Sequence, residues 1–139
     1  MASFWAKKTI KVAMFTWTRH DLAQAMIRAR LRGVSIDIAL DSNSSRGASS
    51  KVAQLLLKGG IPVIINDSQG LLHYKTMIID DHTLVNGSAN WTKAAFTQNR
   101  DCFMILYDLT MPQQKKLEKL WKAVKAESKP LPSPRSRSR

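Results

Sequence analysis

The amino-acid sequence predicts an α/β protein in which a mixed β-sheet lies between layers of helices. Apolar segments typical of β-strands alternate with segments whose apolar residues recur at helical spacing. Strands that alternate with helices in this way form parallel sheets covered on both faces, and one strand pair joined by a short turn adds antiparallel pairing. The length of 139 residues supports one domain with a substantial core.

The first half of the chain shows the alternation most clearly. Its predicted elements are a strand at 9–15, a helix at 21–32, a strand at 34–40, a loop at 41–50 and a helix at 51–58. Gly33 ends the first helix and Gly59 the second, and the strand between them alternates strictly between apolar and polar residues. The loop is rich in serine, and we expect it to be a mobile connector that could flank the mouth of a site.

The second half contains the hairpin. Its predicted elements are a strand at 61–65, hairpin strands at 71–79 and 83–85, a loop leading into a helix after Gly87, a strand at 102–107 and a helix at 112–126. The lone cysteine, Cys102, is expected to be buried in its apolar strand and inert. Residues 1–127 should form the folded domain, whereas 128–139, rich in Pro, Ser and Arg, should be a disordered basic tail.

One motif carries most of the functional information. It has the form H-x-K-x4-D-x6-G-S-x-N and consists of His73, Lys75, Asp80, Gly87, Ser88 and Asn90. Six fixed positions would match a random chain of this length only a few times in roughly a million. The motif therefore indicates a specific site.

The residue types of this motif suit a phosphate diester. In a strand His73 and Lys75 point to the same side, because successive side chains alternate. Ser88 and Asn90 precede a predicted helix, whose first N–H groups favour a bound anion. The Cys and His residues lack metal-ligand spacing and the adjacent carboxylates of Asp80 and Asp81 should diverge, so neither a metal nor another cofactor is expected.

The motif resembles the HKD motif of the phospholipase D superfamily, and the resemblance extends from about Ile10 to Tyr107. The sequence is most similar to short members with one motif, which include bacterial endonucleases and mitochondrial-type lipid or RNA phosphodiesterases. This resemblance implies a phospholipase D-like fold over residues 1–127. It also implies that His73 is a nucleophile that forms a phosphohistidine, while a second histidine protonates the leaving group.

The resemblance assigns further roles. Lys75 and Asn90 would hold the non-bridging phosphate oxygens, and Asp101 would orient the His73 imidazole. A surface ion pair of Asp101 with its neighbour Arg100 is the alternative. Ser88 would either bind phosphate or cap the following helix.

Two further motif positions have structural interpretations. Asp80 lies in the predicted hairpin turn, so it is expected to fix the turn through hydrogen bonds rather than to act in catalysis. Gly87 belongs to the motif as a structural residue that ends the second hairpin strand.

The number of histidines predicts a homodimer. The chain has three, and His20 and His82 both lack a lysine two residues later. Because the implied chemistry needs two motifs, a two-fold dimer would bring two copies of His73 around one phosphate. The alternative is a folded half-enzyme without activity.

The charge predicts a polyanionic partner. The net charge is +12, of which only four positive charges fall in the tail. Nucleic acid is the favoured substrate because lysine and arginine bind phosphates without regard to sequence, and an anionic phospholipid surface is the alternative. No apolar run reaches the length of about 20 residues that spans a membrane, and the lysine-interrupted start does not resemble a signal peptide, so a cytoplasmic location is favoured.

Three functions remain open at this point. The chain could be a metal-independent phosphodiesterase acting on nucleic acid, the same kind of enzyme acting on phospholipid, or a phosphate-binding protein without turnover. The motif favours an enzyme over a binding protein, since binding alone does not require a histidine at position 73. The net charge favours nucleic acid over lipid.

Overall fold

The computed structural model describes residues 6–67, 72–88, 90–92 and 102–132. The elements are β1 (Thr9–Met14), α1 (His20–Leu31), β2 (Ser35–Asp41), α2 (Ser42–Arg46), α3 (Ser50–Lys58), β3 (Val63–Asn66), β4 (Lys75–Ile79), β5 (Thr83–Gly87), β6 (Phe103–Leu106), α4 (Met111–Ala126) and β7 (Ser128–Pro130). The predicted loop and helix between Gly87 and β6 fall largely on residues 93–100, outside the described part.

The sheet has seven strands in the order β6-β5-β4-β1-β2-β3-β7. Strands β1, β2 and β3 run parallel, whereas β4 is antiparallel to β1 and continues into the antiparallel β5 and β6. The predicted mixed sheet is therefore confirmed. Met14 pairs with Lys75, so the last residue of β1 and the first residue of β4 lie at the same end of the sheet. We call this the site end, and the opposite end the far end.

Helices cover both faces of the sheet, as predicted. Helices α1 and α3 bury Met26, Ala29 and Leu56 against the larger core, which also contains alternate residues of β1 and β2. On the other face, Trp121 and Val124 of α4 pack against Ala13 and Ala39. The capping box of Thr110 and Gln113 satisfies the first N–H groups of α4 and fixes where this helix begins.

The segment 41–50 is not simply a loop, and the prediction is wrong for its first half. Asp41 caps the five-residue helix α2 by accepting a hydrogen bond from the Ser44 backbone N–H. The Ser45 hydroxyl donates to the Ser42 carbonyl at 2.7 Å. This helix is held by one backbone bond to a buried carboxylate and by its own serine hydroxyls, and it lacks the apolar periodicity that indicates a helix in a sequence.

The prediction of disorder from Ser128 is wrong for the first residues of the tail. Ser128 pairs with Asn66 and Pro130 with Ile64, so β7 extends the sheet beyond β3. Leu131 packs against the larger core. The proline is tolerated because it lies on an edge strand. Residues 133–139 lie outside the described part, and their predicted disorder stays a prediction.

Asp80 ties the hairpin turn to the beginning of β1 at the far end of the sheet. Its carboxylate accepts backbone hydrogen bonds from Lys7 at 3.0 Å, Lys8 at 2.7 Å and Thr9 at 3.0 Å. Asp80 and Asp81 both have positive φ, at 53° and 58°, a conformation that Asp and Asn adopt more readily than most residues. The turn geometry is therefore suited to these two side chains.

Replacing Asp80 with Asn should lower the free energy of unfolding at pH 7 by about 1 kcal/mol, because an amide satisfies fewer of the three backbone donors. Partial burial raises the pKa of Asp80, but the bonds from Thr9, Lys8 and Lys7 together lower it below its ordinary value. The carboxylate therefore contributes stability that is complete above the unfolded pKa of about 3.9 and is lost as the pH falls through the lowered folded pKa. Urea unfolding of both proteins across the acid range measures this difference.

Asp81→Asn is the matched control, since Asp81 has the same backbone conformation but is exposed. Among the described residues, its ion pair is with Lys11, at 3.4 Å. It should change stability by less than about 0.5 kcal/mol. An equal loss in both variants would show that the turn, rather than the Asp80 carboxylate, is responsible.

Candidate active site

His73 and Lys75 lie together at the site end of the sheet. The Lys75 Nζ is 2.8 Å from Nδ1 and 3.2 Å from Nε2 of His73. The prediction placed both residues on one strand, but β4 begins only at Lys75, so His73 lies in the segment before it. The two side chains nevertheless meet, and the imidazole is exposed.

Phe15, the residue after β1, supports this pair. Its ring centroid is 4.8 Å from that of His73, and the Lys75 ammonium lies 5.7 Å from the ring centroid of Phe15. The Phe15 N–H donates to the Tyr74 carbonyl at 3.0 Å. The aromatic ring therefore provides a wall beside the imidazole and a favourable surface for the cation.

Asn90 is held by Thr16, the residue that follows Phe15. Its Oδ1 accepts a hydrogen bond from the Thr16 backbone N–H at 3.1 Å, and the Trp91 N–H donates to the Thr16 carbonyl at 3.1 Å. Trp91 is buried edge-on against Trp17, with ring centroids 4.4 Å apart. The bond to Thr16 uses the amide oxygen of Asn90, which makes the amide nitrogen the atom suited to donate to a ligand.

Ser88 lies at the end of β5, beside the start of β6. Its N–H donates to the Cys102 carbonyl at 2.9 Å, and its hydroxyl accepts from the Cys102 N–H at 3.2 Å. The glycine at position 87 is required by close packing, since a Cβ there would overlap the Cys102 carbonyl oxygen and lie 2.5 Å from the Phe103 Cα. The described contacts of the Ser88 side chain are thus with the backbone of the neighbouring strand.

The structure does not place Cys102, Asp101 and Asp80 in the site. Cys102 is exposed rather than buried, because β6 is the edge strand of the sheet. Asp101 and its alternative partner Arg100 lie outside the described residues, so the orienting role of Asp101 stays a prediction. Asp80, although part of the motif, lies at the far end of the sheet, where its N–H donates to the Thr9 carbonyl.

A groove between α1 and α3 opens beside this site. It has a volume of about 390 Å³ and is lined by His20, Ser50, Lys51, Gln54, Leu55 and Lys58. Both walls begin near Asn90: the Arg19 N–H, just before α1, donates to the Trp91 carbonyl, and Ser49, just before α3, accepts from the Trp17 N–H. The charged residues of the groove lining are cationic.

The other histidines do not resemble His73 in their surroundings. His20 begins α1 and lines the groove, and His82 lies in the far-end turn, where its Nδ1 is 3.2 Å from the Gln114 amide nitrogen. Within the described ranges, no cluster of three or more His, Cys, Asp or Glu residues could hold a metal ion.

The fold and the site together define a class of protein. A helix-covered mixed sheet carries an imidazole, an ammonium group and an amide at one end, and these groups can bind and react with a phosphate diester. Residues 5–123 match the protein family described as cardiolipin synthase, PLD-like domain. The chain therefore belongs to the phospholipase D superfamily, as the motif predicted.

Curated relatives and solved structures agree with this family. The chain is 28% identical to a mitochondrial cardiolipin hydrolase of Xenopus laevis, and the alignment covers 84% of the chain and 56% of the relative. It is 30% identical to a protein of the same name from Chlamydomonas reinhardtii, with 84% and 52% covered. The chain thus spans about half the length of these curated relatives.

Among solved structures, the phospholipase D family member Nuc from Salmonella typhimurium superimposes with a TM-score of 0.89 at 26% identity, covering 95% of this chain and 87% of Nuc. NucT from Helicobacter pylori has a TM-score of 0.76 at 23% identity, covering 91% and 84%, and shows the fold alone. The predicted fold class is confirmed. In the part of the chain that the structure describes, no helix has the length and apolar character needed to span a membrane.

Proposed function

We propose that this protein is a metal-independent phosphodiesterase that acts through a phosphohistidine at His73. The observation that supports this most strongly is the direct contact of the Lys75 ammonium with the His73 ring at the exposed end of the sheet. A cation in this place would hold a phosphate oxygen while the imidazole faces phosphorus. Asn90, fixed through Thr16, would supply a neutral donor from the other side of the site.

The mechanism follows from these groups. A ring nitrogen of neutral His73 attacks phosphorus, the bond to the leaving oxygen breaks, and the protonated His73 of a second subunit gives its proton to that oxygen. Water then attacks the phosphorus and loses a proton to the second imidazole, while the P–N bond to His73 breaks, which restores both histidines. Lys75 and Asn90 stabilise the charge that develops on the non-bridging oxygens, where one donor is typically worth about 10²–10³ in rate.

The sheet geometry restricts how two subunits would share a phosphate. Strand β4, which follows His73, is two strands in from the β6 edge. If two β6 edges paired, five strand spacings of about 4.8 Å would separate the two copies of β4 by about 24 Å, which is too far for one phosphorus. We therefore expect the two-fold axis at the site end, close to His73, with Phe15 and Ser88 near the subunit contact.

Nucleic acid is the proposed substrate. The groove beside Asn90 is open at the surface and its lining includes Lys51, Lys58 and His20. A chain with several phosphates could continue from the site into this groove, and the net charge of +12 would attract it from a distance.

Phospholipid is the second candidate, because the relatives from Xenopus and Chlamydomonas are named cardiolipin hydrolases. The exposed Phe103, Met104 and Tyr107 of the β6 edge, at 53%, 62% and 57% exposure, would suit a lipid surface.

Hydrolysis of bis(p-nitrophenyl) phosphate in excess EDTA tests the chemistry. Wild type should release nitrophenol, and His73→Ala should lose at least about 10³ of the rate, because the nucleophile is missing. His82→Ala, which removes an exposed imidazole at the far end, is the matched control and should retain activity. Loss of wild-type activity in EDTA would contradict the mechanism, and absence of turnover without EDTA as well would favour a phosphate-binding protein.

Mixing wild type with an equal amount of His73→Ala tests the shared site. After subunit exchange only a quarter of the dimers carry two imidazoles, so total activity should fall to about half that of the same wild-type protein alone. Addition of the His82→Ala variant should not reduce activity. If His73→Ala leaves the wild-type rate unchanged although sedimentation shows dimers that exchange, each subunit acts alone.

The double variant Lys51→Gln/Lys58→Gln tests the groove. The kcat/KM ratio of a single-stranded oligonucleotide to the small reporter should fall, and the salt dependence of oligonucleotide binding should weaken by about one to two units of slope. Lys115→Gln/Lys119→Gln on α4 removes the same charge from the opposite face and should alter the ratio far less. An unchanged ratio, together with faster cleavage of anionic phospholipid vesicles than of oligonucleotide, would favour lipid.

A further inference from the structure

A buried carboxylate lies beneath the segment that carries His73. Asp41, the last residue of β2, is 2% exposed. Its Oδ1 accepts a hydrogen bond from the Leu72 backbone N–H at 3.0 Å, and its Oδ2 accepts from the Ser44 N–H at 3.1 Å. Each carboxylate oxygen is thus bonded to a backbone donor, and one of these donors belongs to the residue directly before His73.

The helix that Asp41 caps also leads to Asn90. The Ser44 hydroxyl donates to the Thr16 hydroxyl at 3.2 Å and lies 2.7 Å from the Ser49 hydroxyl. Because the Ser44 hydroxyl gives its proton to Thr16, Ser49 is the donor in its contact with Ser44, and the Ser49 oxygen also accepts from the Trp17 N–H at 2.9 Å. Thr16 in turn donates its N–H to the Asn90 side chain at 3.1 Å.

We propose that Asp41 is a positioning residue that sets two arms of the site relative to each other. The His73 arm is the segment before β4, and the Asn90 arm consists of α2, Thr16 and Asn90. One oxygen fixes the backbone before His73, and the other fixes α2, whose Ser44 reaches Asn90 through Thr16. This proposal rests on the function proposed above, since it assigns a role within the same site. Helix capping alone would use only the bond to Ser44 and would not require a bond to Leu72, 31 residues further along the chain.

The chemistry of the carboxylate makes this arrangement sensitive to a single atom. An Asn at position 41 would have the same shape but would present an amide N–H₂ to one of the two backbone donors. Either the Leu72 bond or the Ser44 bond would then be replaced by a contact between two donors. The arm concerned would shift, and a misplacement of about 1 Å can cost about 10² in rate.

The test is Asp41→Asn measured beside wild type with the reporter diester. We expect kcat to fall roughly ten- to a hundredfold while KM changes less than about threefold, because the phosphate-binding groups remain present but misaligned. The loss of kcat should persist at low temperature, under conditions where circular dichroism is used to check that both proteins are folded. Asp37→Asn, on the same strand, is the matched control and should retain the wild-type kcat.

A second measurement does not depend on activity. Amide hydrogen exchange at Leu72 and at Thr16 should accelerate in Asp41→Asn, whereas amides of β5 should keep their protection. Acceleration at Leu72 alone would overturn the link to Asn90, and wild-type kcat with unchanged exchange at both amides would overturn the proposal entirely. If wild type itself does not cleave the reporter, the proposed function fails, and the exchange data still decide whether Asp41 holds both arms.

Discussion

The antiparallel pairing of β1 with β4 is the constraint on which the site depends. This pairing places Met14 opposite Lys75 and brings residues 15–17 alongside the segment before β4. The three residues after β1 then contact His73, Asn90 and the residue before α3: Phe15 packs on His73, Thr16 holds Asn90, and Trp17 bonds to Ser49. Since β1 is the middle strand of the sheet, this extension is anchored by core packing on both sides.

The spacing of the motif has a simple explanation in this sheet. Residues 75–79 form β4, which crosses from the site end to the far end, and residues 83–87 form β5, which returns. His73, Ser88 and Asn90 therefore lie at one end of the sheet, and Asp80 lies at the other. Since a strand rises about 3.3 Å per residue, the two ends are about 20 Å apart. The intervals between motif residues thus reflect the length of a strand pair, and only part of the motif belongs to the site.

Sequence patterns predicted the features that depend on neighbours in the chain. The alternation and helical spacing identified most of the elements, and the H-x-K spacing identified a pair of side chains that do meet, although His73 precedes the strand. Features that depend on distant partners were missed. Strand β7 exists because β3 offers an edge, and this cause leaves no periodic pattern. Helix α2 was missed for a different reason: its cap, Asp41, is adjacent in the chain, but its residues lack apolar periodicity.

The residues missed in the site itself had only weak signals. Phe15 and Thr16 follow a strand in a polar-aromatic run that gives no indication of what they face. Ser44 lies in a run of small residues that are typical of loops. Only the three-dimensional structure shows that the Ser44 hydroxyl bonds to the Thr16 hydroxyl and that the Thr16 backbone N–H bonds to Asn90.

The arrangement of the strands also determines where the chain leaves the domain. Lys7 and Lys8 are bound to Asp80 at the far end, whereas β7 begins with Ser128 at the site end and runs towards the far end, so that the Leu131 N–H bonds to Val63 in the middle of the sheet. The described chain therefore begins on the side away from His73, and its last strand runs away from the end that carries His73. A label or surface tether placed on the far-end side of the domain, for example at Lys7 or Lys8, would leave the face that carries His73, Lys75 and Asn90 open to large substrates.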